Sequence, residues 1–142
     1  KNTDLLLYMA ARSENINIIK NAYNKKVILI DRFTDSTIAY QHFGMGVDLN
    51  LIKTLNNFLL KNIKVNFTFL NIVNQKNLQN RLKQRKSLNR YDKFNISFYK
   101  KVQKGFIRLS KKQKNKYQLI NSNLEIDKNE KLILDKIDKI IK

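Results

Sequence analysis

The 142 residues predict an α/β fold, a parallel sheet flanked by helices. Apolar residues recur at three- and four-residue spacing in several stretches, and short β-branched or aromatic runs lie between them. That alternation is the pattern of parallel-sheet units. The run Val27-Ile-Leu-Ile-Asp31 is apolar until it meets an acid, as expected of a strand buried on both faces. Three predicted strands are few for so many helices, so the sheet is expected to be incomplete in this stretch of chain.

The elements follow in order. Residues 4–24 predict a helix, with Leu5, Tyr8, Met9, Arg12, Ile16, Ile19 and Tyr23 at helical spacing. Val27–Asp31 is the first strand. Residues 34–42 open a second helix, with Ile38 and Ala39 inward. Gly44-Met45-Gly46 is a loop. Asp48 caps a helix whose Leu49, Ile52, Leu55 and Leu59 form an apolar stripe. Val65–Val73 is the second strand. Asn74 is an N-cap for a helix to about Gln84, thinly attached because only Leu78 and Leu82 are apolar. Residues 85–92 are polar and charged and read as a mobile segment. Phe94–Asn115 returns to helix, with Phe98, Val102, Phe106 and Leu109 on one face. Tyr117–Ile120 is the third strand. Asp127 starts the last helix, with Ile133, Ile137, Ile140 and Ile141 inward and Lys131, Lys136, Asp138 and Lys139 outward. The whole, 1–142, reads as one domain, with 81–92 as a lid segment within it.

Composition narrows the chemistry. There is no Cys, which excludes disulfides, thiolate metal sites and thiol nucleophiles. No apolar run approaches the roughly 18–20 residues that span a membrane. No signal peptide is visible, so a cytoplasmic setting is the expectation. The net charge of +18 suggests anion or nucleic-acid binding. Heavy use of Lys, Asn and Ile, all with A/T-rich codons, gives a plainer account of it. Arginine is more telling. Six of the 29 basic residues are Arg, and five of those fall in the motifs below. The planar fork matters where a phosphate or a base edge must be gripped.

Tyr8 and Arg12 are four apart and share a helix face. A ring there can stack on a base while the guanidinium donates to its edge; a core-edge Tyr beside a surface Arg is the plainer reading. Asp31 and Arg32 arrive at the C-terminal end of a strand, the edge at which open α/β sheets bind ligands. An acid there can hold a metal through water, and an Arg can clamp a phosphate bidentately; a strand-end ion pair is the alternative. Ser36 and Tyr40 are also four apart, with Thr37 and Gln41 beside them. His42 is the only histidine and carries no metal role. On a helix Arg81 and Arg85 share a face while Lys83 points away; a solvated charge run is the alternative.

These residues also resemble a family. Asp31-Arg-Phe-Thr-Asp-Ser-Thr-Ile-Ala-Tyr-Gln41 resembles the Asp-Arg-[Tyr/Phe/His] signature and the Ser-x-x-Ala-Tyr-Gln of thymidylate kinases. Leu6-Leu-Tyr-Met-Ala-Ala-Arg12 is similar to their Leu-[Phe/Tyr]-x-Ala-x-Arg. Phe43-Gly-Met-Gly-Val-Asp48 is similar to their Gly-Arg-Gly-[Leu/Ile/Val]-Asp, with Met45 at the Arg. Residues 81–92 resemble the lid pattern, with Asn89 and Asp92 replacing its acids, and arginines in the lid resemble the bacterial type. Ile120-Asn-Ser-Asn123 is similar to Ile-Asp-Ala-[Ser/Thr], with Asn121 at the Asp.

The resemblance implies a P-loop NTPase-like fold of the nucleoside monophosphate kinase kind, and transfer of a phosphoryl group from ATP to thymidine monophosphate with Mg2+. It implies that Tyr8 stacks on thymine, that Arg12 donates to its 4-carbonyl, and that Arg32 binds the acceptor phosphate. Ser36 would lie near the base edge. Thr37, Tyr40 and Gln41 would lie in the same substrate pocket, with Tyr40 against the sugar. Asp31 would help position Mg2+ through water. Arg81, Arg85 and Arg90 are the candidate catalytic lid charges, with Arg81, Arg85, Ser122 and Asn123 on the ATP side. Nothing matches Gly-x-x-x-x-Gly-Lys-[Ser/Thr], the phosphate-cradling loop. The expectation is therefore a chain missing the N-terminal strand–P-loop–helix unit, inactive and poorly folded alone. A homodimer through exposed apolar positions of 48–60 is the family expectation. One alternative is another nucleoside or nucleotide kinase of this fold, in which Ser is usual where Phe33 stands. The other is a basic nucleic-acid-binding module without catalysis; the kinase reading expects no specific nucleic acid and no membrane partner.

Overall fold

A computed structural model describes residues 1–87, 91 and 94–141. Helix α1 spans Asn2–Ala22, and helix α2, Thr34–Thr37, runs directly into a π-helical segment, Ile38–Gly44. Helix α3 covers Leu49–Leu60, strand β1 Thr68–Ile72, helix α4 Gln75–Lys83, helix α5 Ile96–Lys112, strand β2 Tyr117–Asn121 and helix α6 Ile126–Ile141.

Three helices begin where a short polar side chain takes up an orphan amide. Asp48 accepts from the Leu51 amide at 2.9 Å, Asn74 from that of Asn77 at 2.8 Å, and Asn95 from that of Phe98 at 3.0 Å. The Asp48 and Asn74 caps match the expected starts.

Strands β1 and β2 pair in parallel, Thr68 opposite Tyr117 through Ile72 opposite Asn121. The expected first strand differs. Residues 27–30 run without strand pairing, and Val27 and Leu29 stand 61% and 78% exposed. A strand exists only through a neighbour that takes its amides and carbonyls. Among the described residues no strand pairs with that segment; Val27, Leu29 and Ile30 are exposed and Ile28 is half-buried.

The core has two parts. Leu5 and Met9 of α1 pack with Val47 and with Ile52 of α3. Ala39 packs with Phe98 and Val102 of α5, with Tyr40, Phe94 and Phe106 around them. The second contact is unusually close. A Cβ on Gly44 would sit 2.6 Å from Phe98, and one on Gly105 would sit 2.5 Å from Phe43. Two glycines thus let the π-helix and α5 interlock ring against backbone. The wide turns close with the Met45 amide donating to Tyr40 at 3.0 Å, and the Gly46 amide donates to His42 at 2.8 Å.

Three further expectations are corrected. Ile140 and Ile141 are exposed rather than inward. Lys136 is not outward: its ammonium lies 5.0 Å from the Phe67 ring centre, over its face. The long methylene stem of Lys packs along apolar surface while the charge meets a ring. Helix α4 also stops at Lys83, so Arg81 and Arg85 do not share a helix face. With no buried residue, nothing holds that helix into a further turn.

Candidate nucleotide site

Arg12 is the centre of the site. It reaches from α1 to two other elements. One Nη donates to Asn56 Oδ1 of α3 at 2.6 Å and to Met9 Sδ at 3.5 Å. The other donates to Thr37 Oγ1 at 2.8 Å and to the Phe33 carbonyl at 3.3 Å. The guanidinium also lies over the Phe33 ring, 5.2 Å from its centre. Burial pulls its pKa below the ordinary arginine value, although an Arg stays charged at any physiological pH. All these partners are neutral.

Arg32 is held differently. Its φ is +59°, in the left-handed region that few non-glycine residues adopt. Such strain costs on the order of 1–3 kcal/mol and persists where surroundings enforce it, often at functional sites. The turn throws the guanidinium over the Tyr40 ring, 4.6 Å from its centre. Tyr40 in turn meets Tyr91, Phe98 and Phe106 edge-on at 5.5, 5.9 and 6.3 Å. The Tyr91 ring is 6.4 Å from that of Tyr8, and its hydroxyl accepts from Gln41 Nε2 at 3.3 Å.

Six of the expected substrate residues, Tyr8, Arg12, Arg32, Thr37, Tyr40 and Gln41, therefore fall in one neighbourhood linked through Phe33 and Tyr91. Gln41 and Thr37 are buried, Arg32 and Tyr8 are exposed. Ser36 lies half-buried in the same short helix as Thr37. A cleft of about 620 Å3 lies elsewhere, against Asp4, Met45, Phe98 and Lys101. None of the six lines it. Met45, at the position of the family's Arg, opens onto it.

A second cluster sits at the C-terminal end of β1 and β2. Arg81 donates to the Ser122 carbonyl at 2.6 Å, and Asn77 Nδ2 donates to Asn123 Oδ1 at 3.0 Å. Asn121 folds the loop, its Oδ1 accepting from the Asn123 amide at 3.1 Å. An Asp at that position would accept the same bond, so the departure to Asn keeps the turn. Of the residues the resemblance puts on the ATP side, Arg81, Ser122 and Asn123 lie together in this cluster. Arg85 is exposed beyond the end of α4. Arg90, Asn89 and Asp92 lie outside the described residues.

Asp31 is exposed in the bend after residues 27–30. Among the described residues there is no group of three or more acids, His or Cys able to cage a metal. Mg2+ does not require one, since it keeps several waters and takes one or two carboxylates beside substrate phosphates. An exposed carboxylate such as Asp31 fits that mode.

Sequence reasoning missed Asn56 and Tyr91. Asn56 lies four residues after Ile52 on the apolar stripe of α3, and a polar side chain on such a stripe is a signal for a buried partner. Tyr91 had only its place beside the lid arginines.

No helix among the described residues is long and apolar enough to cross a membrane. The family profile described as thymidylate kinase matches residues 1–133. The thymidylate kinase of Wolbachia pipientis subsp. Culex pipiens (strain wPip) is 34% identical over 142 residues, covering 99% of this chain and 67% of that protein. That of Wolbachia sp. subsp. Brugia malayi (strain TRS) is 34% identical over 140 residues, covering 97% and 66%. The crystal structure of thymidylate kinase from Ehrlichia chaffeensis superposes with a TM-score of 0.68 at 30% identity, covering 99% of this chain and 66% of that one. The chain spans about two thirds of the length of these relatives. That match, over nearly every residue of this chain, carries the assignment of fold, a P-loop NTPase-like α/β architecture: the chain belongs to the thymidylate kinase family.

Proposed function

We propose that this chain carries the acceptor-nucleotide side of an enzyme that phosphorylates thymidine monophosphate from MgATP. The observation that carries the reading is the Arg12 neighbourhood, in which a base-edge donor and a ring face from α1 meet a phosphate-capable Arg from the turn before α2. Tyr8 offers its exposed ring to the face of thymine. Arg12 donates to the 4-carbonyl. Cytosine has an amine there, which leaves a half-buried donor facing a donor, and such mismatches discriminate strongly. Tyr40 lies against the sugar, and Arg32 grips the acceptor phosphate.

In the reaction an oxygen of that phosphate attacks the γ-phosphorus. The bond from phosphorus to the β–γ bridging oxygen breaks, and ADP leaves. Bound Mg2+ would neutralise phosphate charge, with Asp31 holding it through water. Little covalent work falls to the protein; positioning and charge stabilisation dominate. Arg81, Arg85 and Arg90 are proposed to meet the charge on the transferring group, and Ser122 and Asn123 to flank the ATP adenine. A cytoplasmic homodimer is the setting proposed. Phe58 supports it, standing 73% exposed on α3.

The test has two arms. Calorimetry should give tighter binding of thymidine monophosphate than of deoxycytidine monophosphate. The protein that carries these residues should form thymidine diphosphate from MgATP. Salt-sensitive binding to arbitrary DNA, without preference among the monophosphates, would instead favour the nucleic-acid module.

A further inference from the structure

Asn56 lies on the buried side of α3, with its amide against the Arg12 guanidinium. An Arg has no acceptor, so the amide must present its oxygen. Each Nη of Arg12 makes one short and one long contact. The short ones go to Asn56 at 2.6 Å and Thr37 at 2.8 Å. The long ones go to the Met9 sulfur at 3.5 Å and the Phe33 carbonyl at 3.3 Å. The short pair fixes the plane of the fork, and the long pair marks the hydrogens an incoming carbonyl can take over.

Charge gives the second part. Among the described residues Arg12 has no carboxylate partner, and burial alone accounts for its lowered pKa. Buried charges are ordinarily paired. A guanidinium held by an amide, a hydroxyl and a carbonyl keeps its full field for a ligand. A carboxylate in the same place would hold the fork equally well and cancel that field.

We infer that Asn56 is a positioning residue for base recognition, one that orients Arg12 through a neutral acceptor and so sets the preference for a 4-carbonyl over a 4-amine pyrimidine. This rests on the base-binding reading of Arg12 above. Thr37 and Asn56 act as a pair on the two Nη atoms, one from α2 and one from α3.

The test uses the whole 142-residue chain with Asn56→Asp and Asn56→Ala. Calorimetric dissociation constants for thymidine and deoxycytidine monophosphates give a preference ratio, and thermal melting reports the fold. Asn56→Asp keeps shape and acceptor, so it should melt like the parent while the ratio falls about fivefold or more, as expected for weakening one charge-assisted hydrogen bond. Asn56→Ala should lower the ratio similarly. A structural role alone predicts that the Asp variant binds with an unchanged ratio. A ratio within about twofold of the parent in Asn56→Asp overturns the inference even if Asn56→Ala does not fold. A parent chain with no preference overturns the base-binding reading, and the inference with it.

Discussion

The Arg32 guanidinium rests on the face of Tyr40, 4.6 Å from the ring centre, at the end of a backbone turn with φ of +59°. The ring holds an exposed cation in a conformation the backbone alone disfavours. Cation–π contacts contribute about 0.5–1 kcal/mol at exposed sites. Tyr40→Leu should therefore weaken thymidine monophosphate binding about three- to tenfold, by freeing Arg32 and by loosening the sugar side. Tyr40→Phe keeps the ring and should stay within about twofold. Calorimetry on both variants checks this; equal losses would assign the effect to the hydroxyl instead.

Gly44 and Gly105 mark where the π-helix and α5 touch. A Cβ at either would come within 2.5–2.6 Å of an aromatic carbon. Both rings are packed by neighbours and cannot simply swing away. Gly105→Ala should cost about 1–3 kcal/mol, the usual range for overpacking, and add the helix propensity of Ala as a partial offset. Gly44→Ala should be similar. Gly46, with nothing near its Cβ position but φ of +71°, should lose less on mutation to Asn than to Val, since Asn tolerates that region. Urea midpoints order the four variants.

Phe58 projects from α3 at 73% exposure, and Leu51 on the same helix is also exposed. If this face joins two copies, Phe58→Asp should convert a dimer to a monomer in light scattering without lowering the fraction of helix seen by circular dichroism. An unchanged mass would place the dimer contact elsewhere.

The candidate site was partly legible in the chain because its residues are local. Tyr8 and Arg12 are one helical turn apart, as are Ser36 and Tyr40, so spacing put each pair on one face, while the family resemblance supplied their roles. The three caps Asp48, Asn74 and Asn95 are similarly local, and two of them were read correctly. What spacing could not reach were partners set by packing. Asn56 meets Arg12 across 44 positions, and Tyr117 meets Asp35 across 82. The segment at 27–31 was misread for the complementary reason. Its composition fits a buried strand, but pairing depends on a neighbouring edge that composition does not reveal. The end of α4 near Gln84 was legible, but the helical spacing of Arg81 and Arg85 did not show that Arg85 lies just past that end.

The Tyr117 hydroxyl donates to Asp35, tying the start of β2 to the short helix that follows Arg32. Burial first, then the hydrogen bond and negative charge of Asp35, push the Tyr117 pKa above its ordinary value, with a hydrogen bond involving Thr68 opposing. A raised folded-state value means the unfolded chain gives up the phenolic proton first. The stabilisation is therefore fully present below about pH 10, the unfolded tyrosine value, and is lost as the pH rises through and beyond it. Tyr117→Phe removes both the bond and the titration. The parent should have the higher urea midpoint at about pH 8, and the gap between the two should narrow on going to about pH 11. Lysine titration affects both chains alike and cancels in the difference. A gap that stays constant across that range would mean the phenol is not held by Asp35, and the tether between β2 and the Arg32 turn would fall with it.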